Sequence, residues 1–217
     1  MKILHDAERA KDIEKAPMKP VMRGKNRVVD PEVIWVEPEE QEKIINALKP
    51  QYRPVILFGM LTGVRPAEAR ALQWEDVLWS RNEIMIRHAF DCYGSLVVVK
   101  GKKILPVPLF DDTRALLEDL RGKNLSPYVF INQRTGDPFG ANLGKVFARA
   151  CKKAMGYQIG IAKASRTSFA QNLANNGVEI GMVSRLLRHS SLKITKRYYE
   201  FQTEPLKSAV DKVRKIR

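Results

Sequence analysis

From residue 33 onward the chain alternates apolar blocks at helical spacing with one stretch of short, β-prone runs. Val33-Ile34-Trp35-Val36 leads into Glu37-Pro38, and the pattern that follows predicts a helix ending near Leu48, before Pro50. Proline suits a first helical turn, and Glu39, Glu40 and Glu42 lie where the positive end of the helix dipole favours acids. Val55 to Leu61 is apolar nearly all round, which predicts a helix buried at the domain centre and closed by Gly63. A short helix over Pro66 to Leu72 comes next. The period then changes: Glu83 to Ile86, Leu96 to Val99 and Ile104 to Val107 are β-prone, and Lys100-Gly101-Lys102-Lys103 makes a basic hairpin between the last two. Helical signals return at Asp111, over Asn142 to Ala154, over Ser165 to Asn176 with Gly177 as its stop, and over Glu179 to Leu187 and Leu192 to Tyr199. A serine of His189-Ser190-Ser191 can cap the last of these. The expected fold class is α+β, mainly α-helical with a small three-stranded antiparallel sheet.

Composition narrows the picture. A chain of 217 residues, 44% hydrophobic and 29% charged, is globular and long enough to bury a sizeable core. No apolar run approaches the ~20 residues that span a bilayer, and residues Met1 to Lys15 hold no secretory h-region, so a membrane location is excluded and the cytoplasm is expected. Residues 1–30 are polar, basic and broken by Pro17 and Pro20, which reads as a linker or the remnant of an upstream domain; 31–203 form the folded body and 204–217 a basic terminal helix. Cys92 and Cys151 make neither a disulfide framework nor a zinc pattern. With 38 Lys+Arg against 24 Asp+Glu the net charge is +14, which points to a polyanionic partner, and the dispersed bases favour nucleic acid over a membrane surface.

Several chemistries fail on their residues. Gly140 to Lys145 is one residue short of a phosphate loop, and Val146 stands where a magnesium-binding hydroxyl is needed. The acids are scattered or sit at helix starts, and His5, His88 and His189 have no ligand spacing, so no metal or other cofactor is expected. Trp35, Trp74, Trp79, Leu186 and Leu187 read as core or packing residues. What remains is Thr62-Gly63-Val64-Arg65-Pro66-Ala67-Glu68, Lys100 ahead of Val107-Pro108-Leu109, Lys163-Ala164-Ser165-Arg166, Leu187-Arg188-His189, and Tyr198-Tyr199. Arg65 at a helix start can reach a phosphate or pair with Glu68.

In this order and spacing the motifs resemble the catalytic domain of the tyrosine recombinases, the phage-integrase family, over roughly residues 33 to 200. The family's T-G-x-R-x-x-E element corresponds to Thr62 to Glu68, its hairpin lysine to Lys100, its H-x-x-R to Lys163 and Arg166, its L-G-H to Leu187-Arg188-His189, and its nucleophile to Tyr198. The resemblance implies a tyrosine recombinase catalytic-domain fold, double-stranded DNA as partner, and strand exchange through a 3′-phosphotyrosyl intermediate without metal. It also implies a homotetramer on DNA for a full-length protein, with the segment after Tyr198 packing on a neighbouring protomer; an isolated domain can be a monomer. Two other readings share these residues: a catalytically silent DNA-binding module of the same fold, and a type IB topoisomerase-like enzyme.

The implied roles make chemical sense. Arg65 and Arg166 can neutralise non-bridging phosphate oxygens as charge builds in the transition state. Tyr198 has an unperturbed pKa of about 10 and needs cations to stabilise its phenolate. Lys100 can protonate the departing 5′ oxygen, Lys163 can donate to phosphate, and His189 can hydrogen-bond the phosphate or take the tyrosine proton. Three positions depart from the family pattern: Lys163 replaces histidine, Arg188 replaces glycine, and Ser165-Arg166-Thr167 replaces L-R-H. If the turn at Arg188 needs a positive φ, an arginine there bears strain. Tyr199 points roughly 100° away from Tyr198 on a helix and reads as a packing residue.

Overall fold

The computed structural model of the chain describes residues 34–99, 105–123 and 125–199. The N-terminal linker, Lys100 with its hairpin tip, and the expected C-terminal helix lie outside the described residues.

Each helix expected within these bounds is present: α1 is Pro38–Ala47, α2 Arg53–Thr62, α3 Pro66–Arg70, α4 Asp111–Leu120, α5 Leu143–Met155, α6 Ser168–Asn175, α7 Ile180–Leu186 and α8 Leu192–Lys196. At the start of α1, Glu40 reaches back to accept the Glu37 backbone N–H at 3.2 Å, and Pro38 occupies a position whose N–H has no helical partner in any case. The centre of the fold is α2. Its Val55, Ile56, Phe58 and Met60 are buried, and it packs against α1, α3, α4 and α6. Burying each such side chain stabilises the fold by about 1.5–3 kcal/mol relative to exposure, which is why a helix apolar on every side settles at the middle.

The strands pair differently from expectation. A three-stranded antiparallel sheet exists, but its members are β1 (Val77–Leu78), β2 (Glu83–Met85) and β5 (Pro106–Pro108), in the order β1-β2-β5. Leu96–Val98 is β4 of a separate ladder, paired with β3 (His88–Phe90), so the basic hairpin does not join two paired strands. The reason lies in burial. In β2 and β5, Ile84 and Val107 are cross-strand partners and both are buried, whereas all three residues of β4 are exposed. An exposed run has no buried face to fix its register against the core sheet.

Apolar side chains collect in two clusters. The larger holds most of α1 to α5 and the three-stranded sheet, with Phe58, Phe130, Phe147 and Ile44 fully buried. The smaller is made by Ala170, Ala174, Val183, Leu187 and Tyr198, from α6, α7 and the turn after α8. Helix α6 begins against the first: the Val36 backbone N–H donates to Ser168 Oγ at 2.9 Å, across 132 residues of sequence. Trp74 and Trp79 pack on the rim of the larger cluster, with Arg114 and Arg121 stacked over the Trp79 ring.

Candidate active site

The first wall is the turn from α2 into α3. Thr62 Oγ1 donates to the Phe58 carbonyl at 2.6 Å, and Gly63 ends the helix at φ +64 with its N–H on the Gly59 carbonyl at 3.0 Å. A Cβ on Gly63 would lie 2.5 Å from Phe169 and 2.9 Å from Leu187, so both conformation and space require glycine. Arg65 then opens α3. Its backbone N–H donates to Glu68 Oε2 at 3.1 Å and its Nη1 to Glu68 Oε1 at 3.0 Å. Glu68 is buried, whereas the Arg65 side chain remains 48% exposed, with donors left to face a ligand.

The second wall is a π-helical turn, Lys163–Thr167, that runs into α6. Such single wide turns occur often at functional sites. Here Ala164, Ser165, Arg166 and Thr167 are all buried. Ser165 and Thr167 satisfy the departure from L-R-H as small polar residues in a buried turn, with Ser165 Oγ donating to the Ile161 carbonyl at 2.7 Å. Arg166 donates from Nη1 to the Gly63 carbonyl at 2.8 Å and from Nη2 to the Leu187 carbonyl. Burial, and then repulsion from Arg65 and Arg188, lower its pKa to about 10. At about 10 it is still a cation at neutral pH, with Glu68 and Tyr198 partly opposing the shift.

The third wall is the end of α7. Arg188 N–H meets the Arg185 carbonyl and His189 N–H meets the Ser184 carbonyl, each at 3.0 Å, the paired bonds of a Schellman motif. Arg188 holds the left-handed position of that motif at φ +54. The positive φ that the sequence raised as a condition is therefore met, by an arginine, at a local cost of about 1–3 kcal/mol. Its side chain turns inward and donates from Nη2 to Glu68 Oε2 at 2.6 Å. Burial depresses its pKa, with Glu68 opposing and Arg65 adding to the shift.

His189 places Nδ1 2.7 Å from Thr195 Oγ1, on a fully buried threonine of α8. Burial first, then Arg166, Arg65, Arg197 and Arg188, lower its pKa to about 4, so the imidazole is neutral at pH 7. Tyr198 is only 4% exposed, lies under the Arg197 guanidinium at 5.2 Å, and its hydroxyl has no hydrogen-bond partner among the described residues. Tyr199 is tied off instead: its hydroxyl donates to the Val178 carbonyl at 2.5 Å.

Thus Arg65, Arg166, His189 and Tyr198 come together, joined by Glu68 and Arg188. Lys163 opens the π turn with its side chain exposed, and no hydrogen bond or ion pair joins it to the others among the described residues. Lys100 lies outside the described residues. Sequence reasoning treated Arg188 only as a departure from glycine and missed that its guanidinium enters the pocket; the signal available was a long cation at a helix C′ position directly before His189. No group of three His, Cys, Asp or Glu is placed to hold a metal among the described residues.

Two arginines, a histidine and a tyrosine thus form one cluster on a mixed fold of helices around a small sheet. Residues 35–204 match the phage integrase family, and the chain belongs to it. It is 29% identical over 186 residues to the tyrosine recombinase XerA of Thermococcus kodakarensis, covering 82% of this chain and 62% of that protein. Against the tyrosine recombinase XerC of Pediococcus pentosaceus it is 30% identical over 173 residues, covering 72% and 51%. The chain spans about half the length of the curated relatives it matches. In fold it is similar to the Tn1549 transposon integrase in complex with transposon right end DNA, with TM-score 0.70 and 16% identity over 99% of this chain and 76% of that one. It also resembles the XerA recombinase crystal structure, with TM-score 0.64 and 21% identity over 98% and 74%.

Proposed function

We propose that residues 31–203 are the catalytic part of a DNA strand-exchange recombinase that cuts and rejoins strands through a 3′-phosphotyrosyl intermediate. The observation that carries this reading is the clustering of Arg65, Arg166 and Tyr198, whose hydroxyl has no hydrogen-bond partner among the described residues, in one positively charged group. In this reading, Tyr198 Oη attacks the phosphorus, the bond to the 5′ oxygen breaks, and the phosphate stays on the tyrosine as a diester. No bond energy is dissipated, so a new 5′ hydroxyl can reverse the step without ATP. Arg65 and Arg166 stabilise the extra charge on the non-bridging oxygens, and neither changes protonation. A neutral His189 that donates from Nδ1 to Thr195 leaves Nε2 free to accept the tyrosine proton. Lys100 supplies the proton for the leaving oxygen, and Lys163, exposed beside Arg166 on the π turn, donates to phosphate. No step is assigned to a metal.

Double-stranded DNA is the partner in this reading, and DNA that the protein meets in the cytoplasm is its target. The full-length form assembles as a tetramer on DNA, where strand exchange needs paired sites. The test is a nicked duplex carrying a site selected from a random library: the wild type traps a covalent adduct, and the adduct is lost in Tyr198→Phe while duplex binding persists. Adduct formation that survives Tyr198→Phe and vanishes in Tyr199→Phe would overturn the assignment of the nucleophile. Tight, salt-dependent binding with no adduct on any selected site would favour a silent DNA-binding module instead.

A further inference from the structure

Arg188 is a guanidinium of the cluster for which the chemistry above has no use. It occupies a backbone position that favours glycine, at φ +54, and its side chain is 10% exposed. Nη2 is paired with Glu68 Oε2, but Nη1 is buried and has no hydrogen-bond partner among the described residues. Among the described residues the charges around it do not balance: Arg65, Arg166 and Arg188 act on one another with Glu68 as their counter-charge, which leaves an excess of two positive charges. Glu68 also has little more to give: Oε2 already takes the Arg65 backbone N–H and Arg188 Nη2, and Oε1 takes Arg65 Nη1. A buried cationic donor with no acceptor is costly, and an anion that reaches Nη1 removes that cost.

We propose that Arg188 is a third anion-binding arginine, whose Nη1 donates to a non-bridging oxygen of the same phosphate group that Arg65 and Arg166 receive. The inference rests on reading the pocket as a phosphodiester site, and adds a contact that this chain makes with a residue standing in place of glycine. A phosphodiester has two non-bridging oxygens, each able to accept more than one hydrogen bond, so three guanidiniums can share it. Glu68 holds Arg65 and Arg188 on the two oxygens of one carboxylate, at 3.0 and 2.6 Å, which sets both before the ligand arrives.

Inorganic phosphate is the direct probe. It is titrated at constant ionic strength into the full chain and into Arg188→Gly, Arg188→Gln and Arg65→Ala, with binding followed by phosphorus NMR and folding by thermal melting. Arg188→Gly relieves the backbone strain, and Arg188→Gln keeps a neutral donor for Glu68, so at least one folded variant reports on the charge. We expect each Arg188 variant to weaken phosphate binding about tenfold, and the slope of log K against log salt for a random duplex to fall by about 0.9, the value for one phosphate contact. Wild-type phosphate affinity and an unchanged slope in both Arg188 variants, with a loss in Arg65→Ala, would overturn the proposal and leave Arg188 as a partner of Glu68 alone. If neither Arg65→Ala nor the Arg188 variants changed binding, the phosphodiester reading of the pocket would fall, and the third arginine with it.

Discussion

The two apolar clusters are built to different standards, and the candidate site residues lie where they meet. The larger contains a fully buried aromatic pair, Phe58 and Phe130, with ring centroids 5.1 Å apart, around a helix that is apolar on every side. The smaller has two alanines, Val183, Leu187 and Tyr198 at its centre, and much of its order comes from polar ties: the Schellman turn, the capping of α8 by Ser191, and the Tyr199 bond to Val178. Arg65 and Glu68 stand on the first, while His189 and Tyr198 stand on the second. Arg166 spans both, because its two nitrogens hold the Gly63 carbonyl at the end of α2 and the Leu187 carbonyl at the end of α7. A residue proposed to bind phosphate therefore also sets the distance between the electrophile's cradle and the nucleophile. Rigid support on one side and lighter, hydrogen-bonded support on the other suit a site whose nucleophile must be placed against a bound ligand.

This contrast can be broken at its joint. Arg166→Ala should have the largest effect, since it strands two buried carbonyls and removes the proposed transition-state contact; we expect a loss of about 3 kcal/mol of stability in urea melts. Adduct formation should fall by at least ~10²-fold. A variant that melts like the wild type would show that the clusters hold together without the arginine. Gly63→Ala comes next, because a Cβ meets Phe169 and Leu187 from the other side of the joint and φ is +64. We expect about 2 kcal/mol of destabilisation. Amide exchange should increase in α6 and α7 more than in α2, and uniform loosening would contradict two unequal clusters.

Smaller effects sharpen the picture within the lighter cluster. Tyr199→Phe removes one hydrogen bond to a backbone carbonyl, about 1 kcal/mol, and should leave the adduct on Tyr198 intact. The last effect is one of pH. His189 has a folded-state pKa of about 4 against an ordinary 6.5, so the unfolded chain takes up the proton first. Its stabilising contribution is whole above about 6.5 and is lost as pH falls toward about 4. Comparing urea midpoints at pH 7 and pH 5 in the wild type and His189→Gln isolates it: the wild type should lose more, and equal losses would place the cost elsewhere.

Helix positions were legible in the sequence because they depend on local rules. Pro38 and Glu40 start α1, Gly63 stops α2, and a buried helix announces itself by lacking a polar face. Two of the site motifs were legible for a similar reason, since they sit at helix ends, where turn chemistry constrains the residues: Thr62 to Glu68 at one, Leu187 to His189 at another. Strand partners were not. Leu96 to Val98 has the same β-prone character as Glu83 to Met85, and only the presence of a core to one side of Ile84 and Val107 decides which ladder each joins. The sequence by itself also raised strain at Arg188 as a consequence of replacing glycine, and the left-handed φ is there. That its guanidinium turns inward to Glu68, 120 residues away, was decided by tertiary structure alone. The same holds for the neutral His189 and the lowered pKa of Arg166, because burial and the approach of like charges arise only when distant segments share one pocket.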